Sequence, residues 1–342
     1  MIGAGVAATV AASYFLLHRL RGSAFRWERF VETLRQLDPG WFGASVGLIL
    51  LTYFGRAIRW RSIIRPVCPH PKLWRLFIAT AIGFTATVLF GRAGELVRPY
   101  LIAVNERITF SSQVAAWLME RIYDLLIVLA IFGFALSQLQ GVDIVVGPAL
   151  QWVLRMGGYL VGGICSFCLI FLLSVHYFSN AMQRRFLSAL TFLPDHAYKR
   201  VESVVEAFTA GMGSGAGKSL VFEIFVYTAL EWTIIVGSAA CMFRAFPLTS
   251  HLTIVDTLIF VGFVSFGSAV QLPGIGGGMQ VASVVVLTQL FGMDLESATG
   301  ISLVIWASTY VVIVPVGIYF SLKEGLSWRK LKDIETEARL PE

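Results

Sequence analysis

Charged residues are scarce: they make up 14% of the 342 residues, against 56% hydrophobic, and the mean hydropathy is +0.74. That composition leaves too little polar surface for a water-soluble domain, so a soluble fold is excluded. Lys and Arg are missing altogether from Gln138 to Leu154 and between Arg244 and Lys323. Strict apolar/polar alternation is also missing, which excludes a membrane β-barrel. Apolar runs are continuous instead, and approach the ~20 residues that a helix rising about 1.5 Å per residue needs to cross a bilayer. The fold class that follows is all-α: a polytopic membrane helix bundle.

Metal-binding and redox chemistry find little support. Of the four cysteines, Cys165 and Cys168 form a C-x-x-C pair inside an apolar run, without companion ligands nearby. His18, His70, His176, His196 and His251 are scattered, with no ligand spacing. No metal and no cofactor are expected. No nucleophile pairs with a base by spacing, so the chain is not expected to be an enzyme. The stretch "GMGSGAGKS", Gly211 to Ser219, imitates a phosphate loop, but Met212 stands where that pattern needs glycine, and it reads as a linker.

The formal net charge of +6 is spread through short loops rather than gathered in one patch. A phospholipid headgroup layer, not nucleic acid, is the expected counter-charge.

Candidate spans run over Ile2–Leu17, Trp41–Ile58, Leu76–Phe90, Val114–Leu139, Val153–Phe178, Leu220–Phe243, Leu252–Leu272, Met279–Phe291 and Ala298–Leu322. They predict about eight spanning helices with two re-entrant or broken hairpins, Leu96–Val104 forming a half-helix. Ile2–Leu17 lacks a basic leading region and reads as a short span rather than a signal peptide. The stretch "FRWERFVETLRQLD" sets Phe25, Phe30, Leu34 and Leu37 at helical spacing among charges, as an interfacial helix would. A single membrane domain, 1–342, is expected, with halves 1–179 and 220–322 joined by an amphipathic region, 180–219, and a tail, 323–342. Basic residues in the central region (Arg184, Arg185, Lys199, Arg200) and the tail (Lys323, Arg329, Lys330, Lys332) place both on the cytoplasmic side. The N-terminus is assigned to that side too.

Both halves contain an interrupted segment. The first runs into "GRAGELVR", with Gly91 and Gly94; the second into "LPGIGGGMQ", with Pro273, Gly274, Gly276, Gly277, Gly278 and Gln280. Glycine admits backbone shapes that a Cβ forbids, and proline lacks an N–H, so both breaks expose backbone polar groups. At membrane depth such groups survive only inside protein or beside a wet cavity. Paired interruptions of this kind are a pointer to a transporter's binding site.

The first break is charged, carrying Arg92, Glu95 and Arg98; Glu120, Arg121 and Asp124 follow inside the next apolar run. A charge at the bilayer centre costs at least ~2.5 to 3.5 kcal/mol on insertion scales, so these groups must pair, snorkel or meet water. Two readings stand. The arginines neutralise the carboxylates and pin the broken helix in place, or they hold a phosphorylated headgroup while the carboxylates receive its polar part.

The motifs "GRAGELVRPYLI", "MERIYDLL" and "LPGIGGG" resemble the transmembrane domain of the lysylphosphatidylglycerol synthase/flippase family, across roughly Trp41 to Leu322. The resemblance implies an all-helical inner-membrane protein that moves lipids between leaflets, without the soluble aminoacyltransferase domain. The implied partner is a membrane phospholipid or a polyprenyl (isoprenoid) lipid, and homo-oligomerisation is left open. Implied lipid-path residues are Arg92, Glu95, Arg98, Glu120, Arg121 and Asp124, with Gly91 and Gly94. Family members often carry Glu where Gln280 stands, which counts against a cationic headgroup. A membrane enzyme or accessory subunit that transfers a group onto a lipid is the alternative.

Overall fold

A computed structural model describes residues 25–139, 218–268, 271–272 and 276–324. The expected spans Ile2–Leu17 and Val153–Phe178, and the linking region 180–219 up to its last two residues, lie outside the described residues. Numbered among the described residues, the helices are α1 (Trp27–Arg35), α2 (Pro39–Ile64), α3 (Leu73–Phe90), α4 (Val97–Glu106), α5 (Phe110–Leu139), α6 (Lys218–Arg244), α7 (Ile254–Gly267), α8 (Gly278–Gln289), α9 (Leu295–Trp306) and α10 (Ile313–Lys323). A 3-10 turn, Gly91–Leu96, joins α3 to α4, and a π turn, Ala307–Val311, joins α9 to α10. The fold is all-helical apart from a two-residue antiparallel ladder, Gln271–Leu272 (β1) with Gly276–Gly277 (β2), inside the second break.

Among the described residues, four stretches combine the length and apolar composition to cross a membrane: Pro39–Ile64, Leu73–Phe90, Leu220–Arg244 and Leu295–Lys323. Only 22 to 56% of each apolar window is buried, so these helices turn much of their apolar surface outward, as lipid requires and water would punish. The 30-residue α5 also has the length of a span. By contrast α7 (14 residues) and α8 (12 residues) reach only about 21 and 18 Å at 1.5 Å per residue, short of a ~30 Å hydrocarbon core. They pack against each other as a hairpin, the geometry expected of a re-entrant pair.

The chain packs into two compact units. One comprises Met1–Gly55, Ile78–Arg98 and Glu231–Glu342, and holds both breaks; the other comprises Arg56–Phe77 and Pro99–Leu230.

Within the first unit, close packing depends on small residues, as it does wherever membrane helices approach. A Cβ on Gly94 would strike the backbone of Ala86 and Thr87, and one on Gly83 would strike Arg98, so the chain folds back along α3 immediately after the 3-10 turn. Gly267 likewise meets the Gly278 carbonyl and Ala282, closing the α7–α8 hairpin, and Gly317 of α10 meets Ala81 and Thr85 of α3. The π turn ends just before Pro315, whose ring carries no N–H for the carbonyl four residues back and forces the helix to find another register.

The interfacial helix is present as α1. Its Phe30 and Leu34 rest on Gly300, the Thr33 hydroxyl donates to Ser297 Oγ (3.0 Å), and the Arg26 N–H donates to Glu296 Oε1 (3.1 Å). On the outward side Trp27 is 68% exposed, where an aromatic belongs at a membrane–water boundary.

Candidate functional site

Each break is built by glycine. Gly91 closes α3 at φ +68°, in the left-handed region that follows many helices, and the chain tightens into the 3-10 turn that carries Arg92 and Glu95. At the second break Gly277 adopts φ +116°, open to glycine alone, and its N–H donates to Gln280 Oε1 at 2.6 Å. Gln280 therefore acts as the N-terminal cap of α8. Its own carbonyl accepts from the Ser302 hydroxyl of α9 (3.1 Å). Pro273 and Gly274 lie outside the described residues, as does the Arg92 side chain.

The strand β1 lies against the 3-10 turn, so the two breaks, some 180 positions apart in the chain, meet within one unit. Arg98, the second residue of α4, is 3% exposed, and its guanidinium stands 5.9 Å from the Phe84 ring centre. Phe84 meets Tyr53 edge-on at 5.1 Å, and the Tyr53 hydroxyl donates to the Thr309 carbonyl in the π turn at 2.8 Å. Arg98 is thereby connected, through two rings, to the irregular turn of the last helix.

In the second unit the structure supplies a partner that the sequence pattern did not identify. Arg59 of α2, 0% exposed, donates from Nη2 to Glu120 Oε1 (2.6 Å) and from Nη1 to Asp124 Oδ1 (2.6 Å), with Asp124 Oδ2 at 3.2 Å from Nη2. Thr228 Oγ1 of α6 accepts from Nη1 as well, at 3.1 Å. The spacing of Glu120 and Asp124, four apart, puts both carboxylates on one face of α5, where a single planar guanidinium spans them. Arg56, one turn before Arg59, adds its charge to the neighbourhood of Asp124. Further along α2 the Ser62 hydroxyl (2.7 Å), and just past its end the Arg65 guanidinium (3.2 Å), both donate to Glu223 of α6. Arg121 points elsewhere, its guanidinium 6.0 Å from the Trp117 ring centre.

Of the sequence-predicted residues, Gly91, Arg92, Gly94, Glu95, Arg98, Gly277, Gly278 and Gln280 thus fall in the first unit, around the joined breaks. Glu120, Arg121 and Asp124 fall in the second, with Glu120 and Asp124 closed around Arg59. Arg59 was hidden in "GRAIRWRSIIR", where Arg56, Arg59, Arg61 and Arg65 look like an ordinary basic flank. The available signal was spacing: Arg59 stands three residues from both Arg56 and Ser62, so these three polar side chains lie along one side of α2. Among the described residues, no group of His, Cys, Asp and Glu could hold a metal ion.

An all-helical fold with outward-facing apolar helices and paired, glycine-built breaks defines a polytopic membrane domain. The chain belongs to the family described as the lysylphosphatidylglycerol synthase TM region, whose family model matches residues 2–317. It is also 24% identical, over 335 residues, to the glycosyltransferase AglD of Haloferax volcanii, an alignment covering 90% of this chain and 53% of that protein. The chain thus spans about half the length of this curated relative. No solved structure matches the chain.

Proposed function

We propose that the protein is a lipid flippase or transporter that moves a phospholipid or another polar-headed lipid between the leaflets of an inner membrane. One observation carries this reading: the two glycine-built breaks lie against each other, and one of them bears Arg92, Glu95 and Arg98. Arginine forks suit a phosphate, and the acyl chains stay in the bilayer. Glycine at the breaks lets the hairpins rearrange as access alternates. Membership of a membrane-lipid family supports the assignment. Movement runs downhill or is coupled to ions.

A second reading has specific support in the relative's name. A membrane protein that takes part in group transfer to a lipid would use the same arginines to hold a phosphorylated donor or acceptor.

Native mass spectrometry of the gently solubilised chain, beside a double Arg92→Gln, Arg98→Gln variant, tests the first reading. It expects a phosphate-bearing lipid on the wild type alone; equal retention by both would reduce the charges to a structural brace. Product formation by the purified chain from a lipid and a phosphorylated sugar would favour the second.

A further inference from the structure

The fold gathers some of the positive charge that the sequence spreads through short loops. In the second unit, the chain entering α3 and the chain leaving α4 close into one corner. Arg75, the third residue of α3, donates from Nη1 to the Asn105 carbonyl near the end of α4, 30 positions away (3.3 Å), and Cys68 Sγ, in the loop before α3, donates to Glu106 Oε2 at 3.9 Å. Lys72, Arg75 and Arg107 are all exposed there. Among the described residues, none of the three takes part in an ion pair. Glu106 is half-buried and turned to Cys68, while Glu223 is matched by Arg65 at 3.2 Å. Three cations thus stand against one carboxylate that faces a thiol.

Two helix ends add to this field. α3 begins immediately after Lys72 and α5 begins three residues after Arg107, and neither has an acidic residue in its first turn. The partial positive charge of each N-terminus is left to an outside anion. Apolar side chains border the cations: Trp74, stacked on Phe77 at 5.2 Å, and Val104 are each 58% exposed.

We propose that this corner is a docking site for the headgroup of an anionic phospholipid, on the side of the membrane that the excess of Lys and Arg marks as cytoplasmic. Lys72, Arg75 and Arg107 attract the negative headgroup, Trp74 lies at headgroup level, and Val104 meets the acyl chains. Cations beside bare apolar side chains suit a partner that is charged at one end and apolar at the other, which favours a lipid over an acidic protein segment. Binding here is a property of the second unit alone and does not depend on transport at the breaks.

A local probe tests this. The full-length chain, with Thr109→Cys as its only cysteine, carries a fluorophore at that exposed position and is placed in phosphatidylcholine nanodiscs. A minor fraction of nitroxide-tailed phosphatidylglycerol, or of phosphatidylcholine bearing the same tails, serves as quencher. The corner is expected to enrich phosphatidylglycerol over phosphatidylcholine by about tenfold, and the enrichment to fade as salt rises. Lys72→Gln with Arg107→Gln keeps the Arg75–Asn105 bond and should lose most of it, whereas Lys72→Arg with Arg107→Lys keeps the charge and should retain it. Equal quenching by the two lipids in the otherwise unaltered chain overturns the proposal and leaves the corner to an acidic protein segment. Full enrichment in the double Gln variant overturns it as well.

Discussion

Arg59 and Asp124 form a two-point contact inside the second unit: Nη1 lies 2.6 Å from Oδ1 and Nη2 lies 3.2 Å from Oδ2, with Arg59 wholly buried. Glu120 Oε1 also accepts from Nη2, so one cation from α2 closes a pair of carboxylates from α5 and meets Thr228 of α6. Pairing of this kind is what a charge inside a membrane requires.

Removing the arginine alone should therefore be severe. Arg59→Gln leaves two buried carboxylates without their cation and is expected to cost about 3–5 kcal/mol, whereas a triple change, Arg59→Met with Glu120→Gln and Asp124→Asn, should recover much of the loss. Thermal unfolding in detergent, followed by monodispersity on size exclusion, checks this. A mild effect of Arg59→Gln would contradict the clamp.

The glycine at the first break and those of α2 are expected to be unequal. Gly94→Ala drives a methyl into the Ala86 and Thr87 backbone, while Gly43 and Gly47 have nothing within 4 Å of an added Cβ. Overpacking at Gly94 should cost roughly 1–3 kcal/mol and shift lipid binding, with Gly43→Ala and Gly47→Ala near neutral. Melting temperatures of the three variants, compared side by side, decide it.

Much of this architecture could be read from the sequence. The apolar runs at Trp41, Leu76 and Leu220 became helices because nothing interrupts them, the run at Ala298 became two helices joined by a π turn ahead of Pro315, and α1 was legible from aromatics at helical spacing among charges. Both breaks were legible because Gly91 and Gly277 take positive φ, which their residue type announces. Less legible was anything that depends on partners distant in sequence. Arg59 lies 61 and 65 positions from Glu120 and Asp124, and a run of four arginines near a helix end gives no sign of which one turns inward. Gln280 as a cap was equally hidden: its role depends on the φ of Gly277, three residues before it.

Tyr53→Phe keeps the ring against Phe84 and deletes only the hydroxyl that donates to the Thr309 carbonyl. Leaving that half-buried acceptor short of a donor should destabilise by about 1 kcal/mol, with expression retained. Unchanged unfolding would mean that the π turn satisfies itself.

Cys68, in the loop after α2, lies outside the membrane-spanning segments. Partial burial, and then the negative charge of Glu106, whose Oε2 accepts from Sγ at 3.9 Å, raise the thiol above its ordinary 9.0. A raised thiol pKa keeps the unreactive protonated form dominant at neutral and mildly alkaline pH, so alkylation should climb only at higher pH. Glu106→Gln removes the charge and should move that rise to lower pH. Maleimide labelling rates across pH, in a chain with Cys68 as its only cysteine, provide the check; an unmoved profile contradicts the pairing.

The central claim is that the arginines at the joined breaks handle a lipid phosphate. Its most direct test is translocation of a labelled phosphatidylglycerol across proteoliposomes holding matched amounts of wild-type, Arg92→Gln and Arg98→Gln chains. The account predicts transport by the wild type and its abolition in both variants, each still inserted, because insertion depends on the apolar helices and not on the break. Transport at the wild-type rate by either variant would contradict it.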